Sequence, residues 1–116
     1  MIERLIIAGG RDVRLSDDDL AKLDAIVDVR EVVTGGARGV GTDALLWARR
    51  RRIKETVFLP DWAKYGKRAG PIRNTFMAQY GTDLAVFDGG RGTDHMLSMA
   101  IVHKLTIHDF RTKDNT

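Results

Sequence analysis

Three short apolar runs each lead straight into a glycine-rich stretch: "LIIAGGRD" (5–12), "VVTGGARGVG" (32–41) and "AVFDGGRGTD" (85–94). Glycine at that density costs stability, because it loses more backbone freedom on folding than any other residue. One such stretch would be a tight turn. Three in the same setting need one explanation, in which something must come close to the backbone.

The rest of the chain reads as a repeat of strand, loop and helix. Leu5 to Ala8 is a buried-strand candidate. Ser16, three residues before Asp19, makes a capping-box-like start for a helix to about Val27, with Leu20, Leu23, Ile26 and Val27 on one face. Val32 to Thr34 is a second strand, after whose loop Thr42 or Asp43 can cap a helix. That helix turns Ala44, Leu45, Trp47 and Ala48 inward and ends in Arg49 to Arg52. Thr56 to Leu59 is a third strand, stopped by Pro60. The polar segment "DWAKYGKRAGPIRN" (61–74) then leads into a helix from about Ile72 to Tyr80, which Gly81 is placed to end in a left-handed turn. Leu84 to Phe87 is a fourth strand. A helix from about Asp94 to Lys104 buries Met96, Leu97, Ala100 and Ile101, and Leu105 to His108 is a fifth strand. Residues 1–110 form a single domain, and 111–116 a polar tail.

Strands alternating with helices imply an α/β fold: a Rossmann-like open parallel sheet of about five strands with helices on both faces. Right-handed crossovers put every strand-to-helix loop at one end of that sheet. Eleven of the twelve glycines fall in those loops, leaving Gly81 outside. They mark the carboxyl end of the sheet, where open α/β folds bind ligands.

Composition limits the ligand and its setting. The formal charge of +3 on 116 residues suits an anion but does not demand nucleic acid. There is no cysteine, so disulfides, thiolate nucleophiles and thiolate metal sites are excluded. No apolar run approaches the roughly 20 residues of a membrane helix, and the N-terminus lacks the pattern of a signal peptide. A cytoplasmic protein without a membrane partner is expected.

A glycine loop opening a helix exposes backbone N–H groups at the positive end of the helix dipole, a setting that favours phosphate. The loops add Arg11, Arg38, Arg91, Lys67, Arg68 and Arg73, whose cationic heads suit the same anion. The spacing is neither a Walker A loop nor G-x-G-x-x-G. Trp62 and Tyr65 could stack on a base or anchor their loop. Asp61 could accept from a ribose hydroxyl or turn the chain after Pro60, and Asp12 could bind a ligand hydroxyl or pair with Arg11 or Arg14. Arg49 to Arg52 lie at a helix C-terminus, at the end of the sheet opposite the glycine loops, where the dipole favours cations. His95, His103 and His108 have no carboxylate cluster at metal spacing, so no metal is expected, and no cofactor.

The order "GGRD" (9–12), "TGGARG" (34–39), "DWAKYGKRAGPIRN" (61–74) and "GGRGT" (89–93) resembles the SLOG superfamily, and more closely its small YspA-type, cpYpsA-related branch. The resemblance runs from about residue 5 to residue 108. The superfamily is Rossmann-like and includes the LOG phosphoribohydrolases, the DNA-processing protein DprA and presumed nucleotide sensors. It implies a ligand built on a nucleotide, such as an ADP-ribose- or NAD-related molecule. With the loops, it nominates Gly9, Gly10, Arg11, Asp12, Gly35, Gly36, Ala37, Arg38, Gly39, Asp61, Arg73, Asn74, Gly89, Gly90, Gly92 and Thr93. Arg73 would hold phosphate and Asn74 a ribose or backbone group.

LOG enzymes carry P-G-G-x-G-T-x-x-E, whose glutamate takes part in cleaving an N-glycosidic bond. In "DGGRGTDHM" Asp88 replaces the proline and Met96 stands at the glutamate position. Methionine cannot serve as a general base. Asp94 is then the candidate catalytic carboxylate, followed by Asp12 or Asp43. The run from Arg38 to Asp43 is also longer than the resemblance leads one to expect. Three readings follow in order: a domain that senses or sequesters a nucleotide, a LOG-like phosphoribohydrolase on a nucleoside monophosphate, and DprA-like single-strand binding. Mild net charge argues against the last, so nucleic acid is not an expected partner. A homo-oligomer, in the form of a dimer, is expected through helices beside the site, with Trp47, Phe76 and Met77 as candidate contacts.

Overall fold

Valine, isoleucine and leucine alternate faces along the central strands, and that alternation builds two cores at once. In the computed structural model, which describes residues 1–112, five parallel strands form one sheet. They are β1 (Leu5–Ala8), β2 (Glu31–Thr34), β3 (Lys54–Val57), β4 (Asp83–Val86) and β5 (Thr106–Asp109), in the order β3-β2-β1-β4-β5. β1 pairs with β2 and β4, placing Leu5 opposite both Val32 and Asp83. This is the Rossmann-like α/β arrangement that the alternation implies.

The helices are α1 (Asp17–Asp24), α2 (Val40–Arg50), α3 (Trp62–Tyr65), α4 (Ala69–Tyr80) and α5 (Arg91–Val102), with a 3-10 turn at Gly66–Arg68. Leu5, Ile7, Val32 and Phe87 face α1 and α2, where they meet Leu23, Val40, Ala44, Trp47 and Ala48. Ile6, Val33, Leu84 and Val86 face the other way, onto Met77 and Ala78 of α4 and Met96 and Ala100 of α5. Tyr80, at the end of α4, donates its hydroxyl to Glu31 at 2.5 Å, tying that helix to the start of β2. Burial pushes the Glu31 carboxyl up, but hydrogen bonds from Tyr80 and Thr56 and the charge of Lys54 hold it below its ordinary value.

Several boundaries differ from the sequence reading, each for a local reason. The Ser16–Asp19 capping box is present in both directions, but α1 stops at Asp24 and Val27 is exposed. Neither Thr42 nor Asp43 caps α2, which opens one turn earlier on Gly39 with no side-chain cap. Asp43 is instead buried and accepts from Arg14 Nε, Arg14 Nη2 and the Leu15 amide, each at 2.9 Å. β3 begins two residues before the expected Thr56, because Lys54 to Val57 pair with Glu31 to Thr34, and Leu59 is left exposed. α4 and α5 each start three residues before their expected Ile72 and Asp94. Ile101 faces solvent.

Gly81 does not adopt a left-handed turn; its φ is −70° and its ψ 159°. A Cβ there would come within 2.5 Å of Ile6 Cδ1, so close packing under β1 explains this glycine. The left-handed conformation falls instead on Asp28, Arg52 and Lys104, each in a helix-to-strand turn. Trp47 and Met77 are buried and Trp47 Nε1 donates to Asp24, so of the three candidate interface residues Phe76 alone is exposed. Among the described residues no helix is long and apolar enough to cross a membrane. The tail expected from residue 111 lies, from 113 onward, outside the described residues. Before that point the Thr112 amide donates to Asp88 Oδ1 at 2.8 Å.

Candidate functional site

The chain runs from β1 through β2 to β3 on one side, then returns to build β4 and β5 on the other. The loops after β1 and β4 touch where the Gly10 amide donates to the Asp88 carbonyl and then lead to helices on opposite faces, leaving a crevice at the carboxyl end of the sheet. A cavity of about 350 Å³ lies there, within the usual range for small-molecule sites. From the nominated residues it is lined by Gly9, Gly10, Arg11 and Asp12 after β1, by Gly35 and Ala37 after β2, by Arg73 and Asn74 of α4, and by Gly90, Gly92 and Thr93 at the start of α5. The structure does not bring Gly36, Arg38, Gly39, Asp61 or Gly89 into that lining.

Each of those five has another task. Gly39 has φ +75°, and a Cβ on it would come within 2.5 Å of the Gly10 and Arg11 carbonyls. It lets the first two loops touch, and the Val40 amide then donates to the Gly10 carbonyl at 3.2 Å. Gly36, also at positive φ, sits under Val57, and a Cβ on Gly89 would overlap the Thr93 hydroxyl. Asp61 caps α3 by accepting from the Lys64 amide. Arg38 donates to Asp12 Oδ1 at 2.9 Å, so Asp12 pairs with Arg38 rather than with Arg11 or Arg14.

The glycines thus split into two groups. Gly9 makes room for Val40, and Gly35 for the guanidinium of Arg73. These close approaches are internal. Gly90 and Gly92 differ: a Cβ on either would meet nothing within 4 Å, yet both line the cavity. They open α5, whose N-cap is Gly90 with no side-chain cap, so the first-turn amides are available to something else.

Arg73 is one of two arginines lining the cavity, with Arg11. Its Nη1 donates to the Gly35 carbonyl at 3.2 Å and the Phe58 carbonyl at 3.3 Å, and its Nε to Asn74 Oδ1 at 2.9 Å. Among the described residues it meets no carboxylate, and Nη2 makes no hydrogen bond. Burial, and then the charge of Arg11, lower its pKa from the ordinary arginine value. The charged form is under strain that an anion would relieve.

Asn74 is buried and links Arg73 to α5. Arg73 Nε can only donate, so the Asn74 oxygen must face it and the Asn74 nitrogen must face the other way. That nitrogen donates to the Gly92 carbonyl and to His95 Nδ1, both at 3.2 Å. Since that nitrogen can only donate, His95 Nδ1 is the acceptor of the bond, which selects the Nε2–H tautomer of the neutral ring.

Met96 is buried in the α4–α5 core and also lines the cavity, along with Met77, Ile7, Ala8, Thr34 and Gly41. The sequence pattern does not single out these last five as site residues. Met77 lies four residues after Arg73, one helical turn on, so helix spacing could have found it. Of the candidate carboxylates, Asp94 and Asp43 do not line the cavity and Asp12 does. Trp62 and Tyr65 lie outside the lining; Trp62 is half exposed, and Tyr65 carries Lys64 over its ring.

Sheet order and cavity together define a Rossmann-like domain with a crevice at its switch point. The sequence matches the family described as YspA, cpYpsA-related SLOG over residues 3–65. It is also 31% identical over 127 aligned residues to the Gene 61 protein of Mycobacterium phage D29, covering 97% of this chain and 99% of that one. The chain belongs to the YspA, cpYpsA-related SLOG family. The family match contains the loops after β1 and β2, whereas Arg73, Asn74 and the loop after β4 lie beyond it.

Proposed function

We propose that this protein binds a phosphate-bearing nucleotide, or a nucleotide-derived small molecule related to ADP-ribose, and holds it intact. The observation that carries this reading is Arg73: a partly buried guanidinium with no counter-ion among the described residues, lining a cavity at the switch point of a parallel sheet. The phosphate takes the place of that counter-ion, with the first-turn amides of α5 beside it. Thr93 and Asn74 supply polar contacts to the sugar. Membership of the SLOG family points to the same class of ligand.

Retention is favoured over hydrolysis by what surrounds the ligand. The position that would carry a LOG glutamate is the buried Met96, and the one lining carboxylate among the described residues, Asp12, is engaged by Arg38. The test is equilibrium dialysis against AMP, cyclic nucleotides, NAD, ADP-ribose and cyclic ADP-ribose isomers, each compartment read by liquid chromatography. Retention of an unaltered compound is the expected result. Release of free base and a ribose phosphate would replace this reading with a hydrolase, and no retention of any compound would remove it.

A further inference from the structure

Asp12 and Arg38 form an ion pair that the fold does not need. Both side chains are largely exposed, 87% and 73%, and exposed pairs contribute little to stability. The loops they connect are already joined by the Val40 amide on the Gly10 carbonyl and by the packing of Gly39 on Arg11. The nearby Asp43–Arg14 pair is a structural contrast, since its carboxylate is buried and accepts three hydrogen bonds. What distinguishes Asp12 is its place: it is among the residues lining the cavity, whereas Arg38 is not.

The charges around the cavity follow from this pairing. Arg11 and Arg73 both line it, neither forms an ion pair among the described residues, and the charge of Arg11 is felt at Arg73. Those two guanidiniums match one phosphate. A ligand seated on Arg73 and extending a second anionic group toward Asp12 would approach a carboxylate, and Arg38, the arginine that could serve that group, is already paired with it. Like-charge contact is a means of discrimination between ligands.

We propose that Asp12, by engaging Arg38 and presenting its own carboxylate to the cavity, determines specificity for ligands with a single phosphate-sized anionic group over those with two in series. The inference rests on the anion-binding reading of the cavity and narrows it: among the ligands proposed above it favours those with one phosphate, such as AMP, over ADP-ribose and NAD, whose two phosphates lie in series.

The experiment titrates the full chain with inorganic phosphate and with pyrophosphate, followed by amide chemical shifts, which read weak binding without requiring the correct base. The wild type is expected to favour phosphate. Asp12→Asn removes the carboxylate charge and frees Arg38, so pyrophosphate should gain about fivefold or more relative to phosphate, the scale of one charge contact near water. Arg38→Ala leaves the Asp12 carboxylate unneutralised and should move the ratio the opposite way. A ratio unchanged in both variants, with phosphate still bound, overturns this proposal and leaves the anion site standing. Failure of phosphate to bind any of the three proteins overturns both.

Discussion

Arg73 Nε donates to the oxygen of the residue beside it, Asn74, at 2.9 Å, so the cation of the site is oriented by a neutral amide rather than by a carboxylate. A carboxylate there would have satisfied the charge and left little attraction for a ligand. The amide fixes the direction of the guanidinium and leaves its charge unspent.

Arg73→Met should therefore separate stability from binding. The substitution removes a partly buried charge that has no counter-ion among the described residues and keeps an apolar stem of similar length. Thermal unfolding is expected at the wild-type temperature or above it, because the desolvation penalty disappears. The rise in melting temperature that phosphate gives the wild type should vanish, reflecting a binding loss of roughly 1.5–3 kcal/mol. A marked fall in stability would instead make Arg73 a structural clamp on the Gly35 and Phe58 carbonyls.

The same amide makes a prediction about His95. Because Asn74 presents its nitrogen to His95 Nδ1, the neutral ring must carry its proton on Nε2. Long-range nitrogen–proton NMR distinguishes the tautomers directly. In Asn74→Ala the bond is gone, and His95 should show a mixture of both. Finding the proton on Nδ1 in the wild type would contradict the orientation of the whole Arg73–Asn74–His95 chain.

Asp43 should shape the acid limb of stability. Hydrogen bonds from Arg14 come first among the causes that hold its carboxyl below the ordinary 3.8; burial opposes them and the Leu15 amide assists. A carboxyl with a lowered folded pKa stabilises fully above the unfolded value, and that contribution is lost as pH falls through the folded value. Asp43→Asn should cost about 1–2 kcal/mol at neutral pH, and the difference should shrink below about pH 3.8. Denaturant melts at pH 7 and pH 3 measure it. An equal difference at both would show that the charge is not what Asp43 contributes.

The parallel sheet was legible because its evidence is local and repeated: apolar runs of strand length, each followed by glycine and then helical spacing. The site's end of the sheet was legible for the same reason, since Gly9, Gly10, Gly35, Gly90 and Gly92 all line the cavity. What sequence could not supply was the cause of each glycine. Arg73 reaches Gly35 across 38 positions, and Ile6 meets Gly81 across 75, so neither neighbour shows in the local pattern. Side-chain pairing was equally hidden: Arg38 and Arg14 each had several acids within reach, and only the folded loops decide that they take Asp12 and Asp43. Helix starts differ from the sequence pattern where glycine caps α2 and α5, because a glycine cap has no side chain to announce it.

That division among the glycines can be tested by adding one methyl group at a time. Gly35→Ala puts a Cβ where the Arg73 guanidinium lies, so Arg73 must move; both stability and phosphate binding are expected to fall. Gly92→Ala adds its Cβ in open space within the first turn of α5. Alanine is the better helix former, by up to about 1 kcal/mol, so this variant should melt at or above the wild-type temperature. Phosphate and AMP, which must approach the same turn, should nevertheless bind more weakly, by tenfold or more if the methyl group blocks the first-turn amides. Melting curves with and without each ligand distinguish the cases. If Gly92→Ala binds as the wild type does, the ligand does not use the start of α5, and the open glycines there need another cause.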